Sequence, residues 1–325
     1  MWFEALTGFS ESPQQVRENI TLKGDKLISR VNGAVLRCGR LETPTLAALR
    51  RQAFAQTGKG AITVREVVAD VQDLHRDPAN AGALFQVASQ FNLLEMVSPD
   101  ITPEAGVGIY DQDHTQGPAC AIAAGAGTIY RNYFAPVNGQ VGQTAHNQID
   151  GLADLGAALG NHSDHLWTMR NGYAFPSRSG LTEISRRLES ATEGDRDRLR
   201  SRLRIGLQWD TQVTLGGCQH LVSQAYCSAL PVAYSDHPQA LWTAFATLVL
   251  EAAYEATLCA GIINARRSGN PTVFLTLLGG GVFGNNTEWI TGALARAVTR
   301  CAAYALDVAI VSHGRSKPFI RTLLR

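Results

Sequence analysis

The sequence predicts an α/β protein, a doubly wound sheet with helices on both faces. Three observations carry that expectation. From about residue 221 to 312 the chain alternates apolar strand, long helix, strand, helix, strand, the order that builds a parallel sheet between helical layers. The strand candidates at 272–278 and 307–312 are nearly unbroken apolar runs, as in strands buried on both faces. Between the first of these and the next helix lies Gly279-Gly-Gly-Val-Phe-Gly284, a glycine turn joining a strand's carboxyl end to a helix's amino end.

The elements follow in order. Asn32-Gly33 between short strands reads as a hairpin. Thr43-Pro44, a cap and a first-turn proline, opens a helix that runs to about Arg51. A second helix is expected over 64–75, stopped by Asp77-Pro78 and Asn80. Residues 82–89 form a short strand ending in Gln90-Phe-Asn92, and 98–118 read as loop. Small residues over 119–128 then lead into Tyr130-Arg-Asn-Tyr-Phe134. The stretch 138–180, rich in Gly, Asn and His, reads as an irregular insertion. Of the 22 residues 183–204, 12 are charged, which predicts a solvated helix.

The C-terminal half is more regular. Residues 221–232 read as a strand leading into a loop at Pro231. Ser235 or Asp236 caps a helix with Pro238 in its first turn. Its apolar face is Leu241, Phe245, Leu248, Ala252, Ala256, Cys259 and Ile263, at three- and four-residue steps. Arg266, Arg267, Gly269 and Pro271 stop it. Asn285-Asn-Thr-Glu288 starts the next helix, with Ile290, Leu294, Val298 and Cys301 facing inward. No internal repeat is visible.

Composition bounds the function. The 325 residues are two domains' worth of chain, or one large domain with insertions. Lys plus Arg (29) against Asp plus Glu (28) leaves +1. There is no basic excess to grip nucleic acid or an anionic membrane. The long apolar stretch 240–265 carries Glu251 and Glu255, which mark it as a core helix rather than a membrane span. No secretory signal is expected at the start. The six cysteines form no CxxC pair and sit among apolar neighbours, so they read as small buried residues in a reducing, cytoplasmic setting.

The glycine turn is the strongest functional signal. Outward N–H groups, the dipole of the following helix and missing Cβ atoms together make an anion site. Three consecutive glycines plus Gly284 exceed what a tight turn needs. Gly279-x-Gly281-x-x-Gly284 formally matches a dinucleotide fingerprint. However, only 41 residues follow Gly284, and the acidic residue expected after the next strand is missing. No Walker lysine follows the loop either. It is the last phosphate cradle of its sheet, not the first.

At these residues the sequence resembles the macrodomain superfamily, especially its ADP-ribosyl hydrolase and poly(ADP-ribose) glycohydrolase-like branches. The resemblance rests on Val273-Phe-Leu-Thr-Leu-Leu-Gly-Gly-Gly-Val-Phe-Gly-Asn285 with the helix and strand after it, and on Phe85-Gln-Val-Ala-Ser-Gln-Phe-Asn92. It covers about 82–134 and 220–314. The Asn-Ala-Ala-Asn run of the family and the paired glutamates of the glycohydrolases are not present. The resemblance implies a macrodomain-like core over 76–325 with an insertion at about 138–205, and an N-terminal extension over 1–75 packed on that core. It also implies that Gly279, Gly280, Gly281, Val282, Phe283, Gly284 and Asn285 wrap a diphosphate. Asn92 would orient the distal ribose, and Gln90 offers the same contact more weakly.

Asp111-Gln-Asp-His-Thr-Gln-Gly117 puts two carboxylates in a polar loop. Facing one site, they would repel and push one pKa into the acid/base range. Asp111 and Asp113 are therefore the catalytic candidates, Glu95 is the rival acid, and Thr115 and Gln116 are ligand contacts. Arg131 and Asn132 are ligand-contact candidates; Arg131 is read as a bidentate contact to the diphosphate or to a loop carboxylate, or as a structural tie across the insertion. Cys227 reads as a buried thiol. The expected function is hydrolysis of the glycosidic bond between ADP-ribose and a modified protein side chain. The expected partner is ADP-ribose or ADP-ribosylated protein, with no nucleic acid, membrane, cofactor or metal. A non-catalytic ADP-ribose reader, a nicotinamide-dependent oxidoreductase and a metal-dependent hydrolase using His162, Asp164 and His165 are the alternatives.

Overall fold

The computed structural model describes residues 1–323. At its centre is a seven-stranded sheet: β1 (Arg40–Glu42), β2 (Thr63–Val68), β3 (Leu84–Ala88), β4 (Gly206–Gln212), β5 (Leu221–Cys227), β6 (Thr272–Leu275) and β7 (Asp307–Ser312). The spatial order is β1-β4-β5-β3-β6-β7-β2. From β5 across to β2 neighbouring strands run parallel, while β4 pairs antiparallel with both β5 and β1. The doubly wound mixed sheet expected from the sequence is present.

Eight helices matter for the site: α1 (Leu46–Ala53), α2 (Val71–Arg76), α3 (Gln116–Ala123), α4 (Gly125–Tyr133), α5 (Arg178–Ser190), α6 (Glu193–Arg200), α7 (Gln239–Ser268) and α8 (Thr287–Arg300). Side chains alternate across the sheet, so β3 gives Leu84 to one core and Phe85 and Val87 to the other. The first core collects α1, α5, α7 and α8, and the second holds Val71 of α2 and Cys120 of α3. A third core joins Phe3, Phe9, Val16 and Leu27 to Met96, Tyr110 and Ile129. The N-terminal residues thereby support the chain that leaves β3. By length and composition α7 qualifies for a membrane crossing, but 83% of its apolar window is buried inside the protein.

Several expectations need correction. Residues 63–68 are not helical: they form β2, paired with β7 from Thr63↔Asp307 to Val68↔Ser312. The run Val64, Val67, Val68 suits a strand better than a helix, and helix α2 begins only after Asp70, whose side chain accepts from Gln72 N. The first helix is capped by Thr45 rather than Thr43, so Pro44 precedes the cap. Neither Ser235 nor Asp236 caps α7; Pro238 occupies the cap position. Residues 98–118 contain two short 3₁₀ turns and the start of α3. The stretch 1–75 supplies both edge strands of the sheet, β1 and β2.

The charged stretch 183–204 is also less solvated than expected. It forms parts of two helices divided at Thr192, which makes a capping box with Asp195. Asp197 pairs with Arg50 and Arg296, and Arg200 with Glu251 and Glu193. At the centre of the network Glu255 of α7, fully buried, meets Arg50, Arg296 and Arg300. Leu155, Leu181 and Ile184 join the main core. The stretch 138–205 is thus packed into the body of the protein.

Candidate functional site

Strand β3 leads to α3 on one face of the sheet, while its neighbour β6 leads to α8 on the other. Adjacent strands whose connections part in this way open a crevice at their carboxyl ends, the usual ligand position in such sheets. The crevice is present here as two joined lobes. One, of about 550 Å³, is lined by Asp70 and Val71 at the start of α2, Thr287 and Ile290 of α8, and Ser312 and His313 after β7. The other, of about 500 Å³, holds Glu95, Asp113, Tyr173, Tyr234 and the glycine loop. His114, Thr115, Gln116, Thr276, Leu277 and Gly281 border both lobes and form the neck between them. Each lobe is large enough for part of a nucleotide-sized ligand.

The glycine loop is pinned from behind. Gly280 N donates to Leu277 O (3.0 Å), Gly284 N to Gly281 O (3.0 Å) and Asn285 N to Gly279 O (2.9 Å). Asn285 Nδ2 adds a bond to Leu230 O (2.8 Å). Gly279 has φ +74°, and a Cβ there would sit 2.5 Å from Ala229 Cβ, so only glycine fits. The amides of Gly279, Gly281, Val282 and Phe283 have no acceptor among the described residues. Gly281, Val282 and Phe283 line the second lobe, so their amides are available to an anion.

A second set of amides comes from α3. Thr115, at its cap position, makes no side-chain cap, and the amides of Gln116 and Gly117 have no acceptor among the described residues. By contrast α8 starts only at Thr287, with Asn286 accepting from Glu288 N. The helix end most open to the neck is therefore that of α3. Gln116 holds that end in place: Ala88 N donates to its Oε1 (2.9 Å), and its Nε2 donates to Gln86 O (2.8 Å). At Gly117 a Cβ would lie 2.0 Å from Ala88 O, so the helix reaches the strand end only because that residue is glycine.

The acid candidates separate. Asp113 lines the second lobe, its Oδ1 accepting from Thr115 N (2.8 Å), whereas Asp111 lines neither lobe. The two do not face one site as expected. Glu95 borders the second lobe, but its carboxylate turns inward to Arg131 Nη2 at 3.2 and 3.3 Å. Both side chains are 0% exposed. Burial pushes the Glu95 carboxyl up to about 7, against the opposing pull of Arg131 and Tyr110.

Arg131 is thus a tie rather than a diphosphate contact. Its Nε donates to Leu93 O (3.0 Å), Nη1 to the Tyr226 hydroxyl, and its guanidinium lies 3.6 Å from the Tyr226 ring centroid. Asn132 Nδ2 donates to Pro103 O (3.0 Å), outside the cleft. Asn92 also lies behind the wall: its Nδ2 donates to Gln148 Oε1 (2.9 Å), and its Oδ1 accepts from Leu94 N (3.1 Å). It stabilises the turn in which Leu93 adopts φ +65° and does not line the cleft. Gln90 borders the second lobe, with its amide bonded to Met96 and Tyr173.

The aromatic wall of the second lobe went unread in the sequence. Tyr173 packs against Phe283 and Tyr234, with centroids at 5.5 and 5.6 Å, and Tyr234 meets Phe283 edge-on at 5.7 Å. Burial raises both phenols above their ordinary range, with Tyr234 and then Asp113 adding to the rise at Tyr173, and Asp113 adding to it at Tyr234 against the hydrogen bond with Tyr173. Asn171-Gly172, the turn of the hairpin that carries Tyr173, was the available signal. Among the described residues no three His, Cys, Asp or Glu side chains converge on a metal position. His162 and His165 lie in an exposed turn outside the cleft. Cys227 is buried, and burial raises its thiol to about 11.

No family model matches the sequence, and no curated protein does. Among solved structures, the chain is similar to the poly(ADP-ribose) glycohydrolase of Thermomonospora curvata bound to the inhibitor ADP-HPD, at 13% identity and a TM-score of 0.44, covering 99% of this chain and 97% of that one. Another structure of the Thermomonospora curvata enzyme gives 14% and 0.45, covering 96% and 94%. The poly(ADP-ribose) glycohydrolase of Deinococcus radiodurans in complex with ADP-ribose gives 12% and 0.44, covering 87% and 90%.

Proposed function

We propose that the cleft binds ADP-ribose and that the protein hydrolyses the glycosidic bond between ADP-ribose and a modified protein side chain. One observation carries the reading: Gly281, Val282 and Phe283, whose amides have no acceptor among the described residues, line the same lobe as Asp113. The diphosphate lies across the neck on these amides, with the α3 amides of Gln116 and Gly117 opposite. The adenosine half occupies the lobe of Asp70 and Ile290, and the distal ribose the lobe of Asp113. There Asp113, held by Thr115 N, takes a proton from the water that attacks the anomeric carbon. The aromatic wall limits competing water around the reacting ribose.

A second reading, an ADP-ribose reader without turnover, draws on the inward turn of Glu95, which leaves Asp113 as the one carboxylate facing the lobe among the described residues. Calorimetric titration with ADP-ribose, paired with a release assay on ADP-ribosylated protein, tests both. Binding with release, and Asp113→Asn binding without release, is the expected result. Binding with no release by the wild-type protein leaves the reader, and absence of binding sinks both.

A further inference from the structure

The second lobe says more about what is attached to the distal ribose. Resting on the ADP-ribose reading above, we infer that this lobe takes a guanidinium acceptor, so that the preferred substrate is ADP-ribosyl-arginine. Tyr234 and Phe283 meet at 78° with Tyr173 behind them, forming a corner, and the two outer rings are only half-buried. Asp113 borders the same lobe, and no Lys or Arg lines it among the described residues. A planar cation meets both demands, through ring faces and a carboxylate together. The rim adds Val97 and Val282, 58% and 64% exposed, which suit the methylene stem of an arginine. The glutamate ester and the serine acetal are both neutral, so either adduct would leave the aromatic corner and Asp113 without a cation.

The chemistry agrees with the geometry. The C1″–N bond breaks first and its electron pair goes to the departing nitrogen; once the guanidine has left, water oxygen bonds to the oxocarbenium carbon C1″ from the Asp113 side. The N-glycosylated guanidinium is already cationic, so it leaves as neutral guanidine without a donated proton. Asp113 takes the proton of the attacking water, and the guanidine recovers it as guanidinium. The products are ADP-ribose and free arginine. A serine alkoxide would instead need an acid, and Glu95, the other carboxyl of the lobe, is shut in with Arg131.

The test uses ADP-ribose and peptides ADP-ribosylated at Arg, Ser or Glu, measuring both Kd and release, on wild type, Asp113→Asn and Tyr234→Leu. The arginine adduct is expected to bind at least about tenfold tighter than ADP-ribose, a difference of ~1.4 kcal/mol, and to be released fastest. Both variants lose most of that preference, and their loss of affinity for free ADP-ribose is expected to be much smaller than their loss for the arginine adduct. Equal affinity for the three adducts, or a serine or glutamate adduct preferred, overturns the inference. So does Tyr234→Leu if it weakens free ADP-ribose as much as the arginine adduct, because the corner then holds part of ADP-ribose itself. Failure of free ADP-ribose to bind sinks the underlying reading, and loss of preference alone sinks only the acceptor. Arginine preference in binding with no release from any adduct upholds the acceptor and removes the hydrolase.

Discussion

Arg131 Nη2 lies 3.2 Å from Glu95 Oε1, and neither side chain reaches solvent. The same guanidinium bonds the carbonyl of Leu93, a non-glycine residue in the left-handed region, and stacks on Tyr226 beneath the sheet. One side chain therefore fixes the turn after β3, the wall of the second lobe and the charge behind that wall.

Removing one half of a buried pair leaves an unpaired charge in a poorly polarisable surrounding. Arg131→Met is expected to lower the unfolding free energy by about 3–5 kcal/mol, read by urea denaturation above the Glu95 pKa of about 7, where that carboxylate is ionised in the wild type. The double variant Arg131→Met/Glu95→Gln, which leaves no orphan charge, should recover part of that loss. A double variant no more stable than the single would show that the stacking on Tyr226 matters more than the charge.

Glu95 also predicts a pH signature. Its folded pKa of about 7 stands above the ordinary 4.5, so between these values the folded state holds the extra proton. The stability this provides is present at low pH and lost as pH rises from about 4.5 to 7, a change on the order of 3 kcal/mol. Comparing denaturation of wild type and Glu95→Gln across that range isolates it. The difference between the two should vary over the window and level off outside it.

Glu255 has the opposite sign. Burial raises its carboxyl, but Arg50 first, then Arg296 and Arg300, outweigh burial and hold it below the ordinary value. Its contribution is present above pH 4.5 and lost as pH falls through its folded pKa. Glu255→Ala, which leaves Arg50 and Arg296 to Asp197 and removes the carboxylate that Arg300 meets, should cost about 3–5 kcal/mol and reduce the acid sensitivity of unfolding.

Gly117→Ala puts a methyl 2.0 Å from Ala88 O. The end of α3 must move, at a cost of about 1–3 kcal/mol in overpacking. Thermal unfolding reads that cost. Because the neck amides move with the helix, ADP-ribose affinity should fall about tenfold or more, ~1.4 kcal/mol. Unchanged affinity with lowered stability would remove α3 from the binding site.

Local signals made much of the parallel core legible. β7 occupies the predicted 307–312 because an unbroken apolar run ends at polar turn residues, and α7 ends where Gly269 and Pro271 stop it. β2 is hard to read from the sequence because its edge position leaves its faces mixed, and its partner β7 lies some 240 residues away. Asp111 and Asp113 looked equivalent because their separation depends on the 3₁₀ turn Gly108–Gln112, set in part by Glu11 accepting from Val107 and Gly108 N. The aromatic wall escaped because Tyr173, Tyr234 and Phe283 come from three distant segments and meet only once the sheet is formed. Arg131 carries a charge that suits a phosphate, a loop carboxylate or a structural tie alike, and only the tertiary structure singles out Glu95 as its partner.

If the loop amides hold a diphosphate, an ¹⁵N chemical-shift titration of the intact protein with ADP-ribose registers the contact at those amides. Gly281, Val282 and Phe283 are expected to shift most, joined by Gln116 and Gly117 across the neck, with saturation at one equivalent. Saturable ADP-ribose binding that leaves these five amides unmoved would contradict that contact.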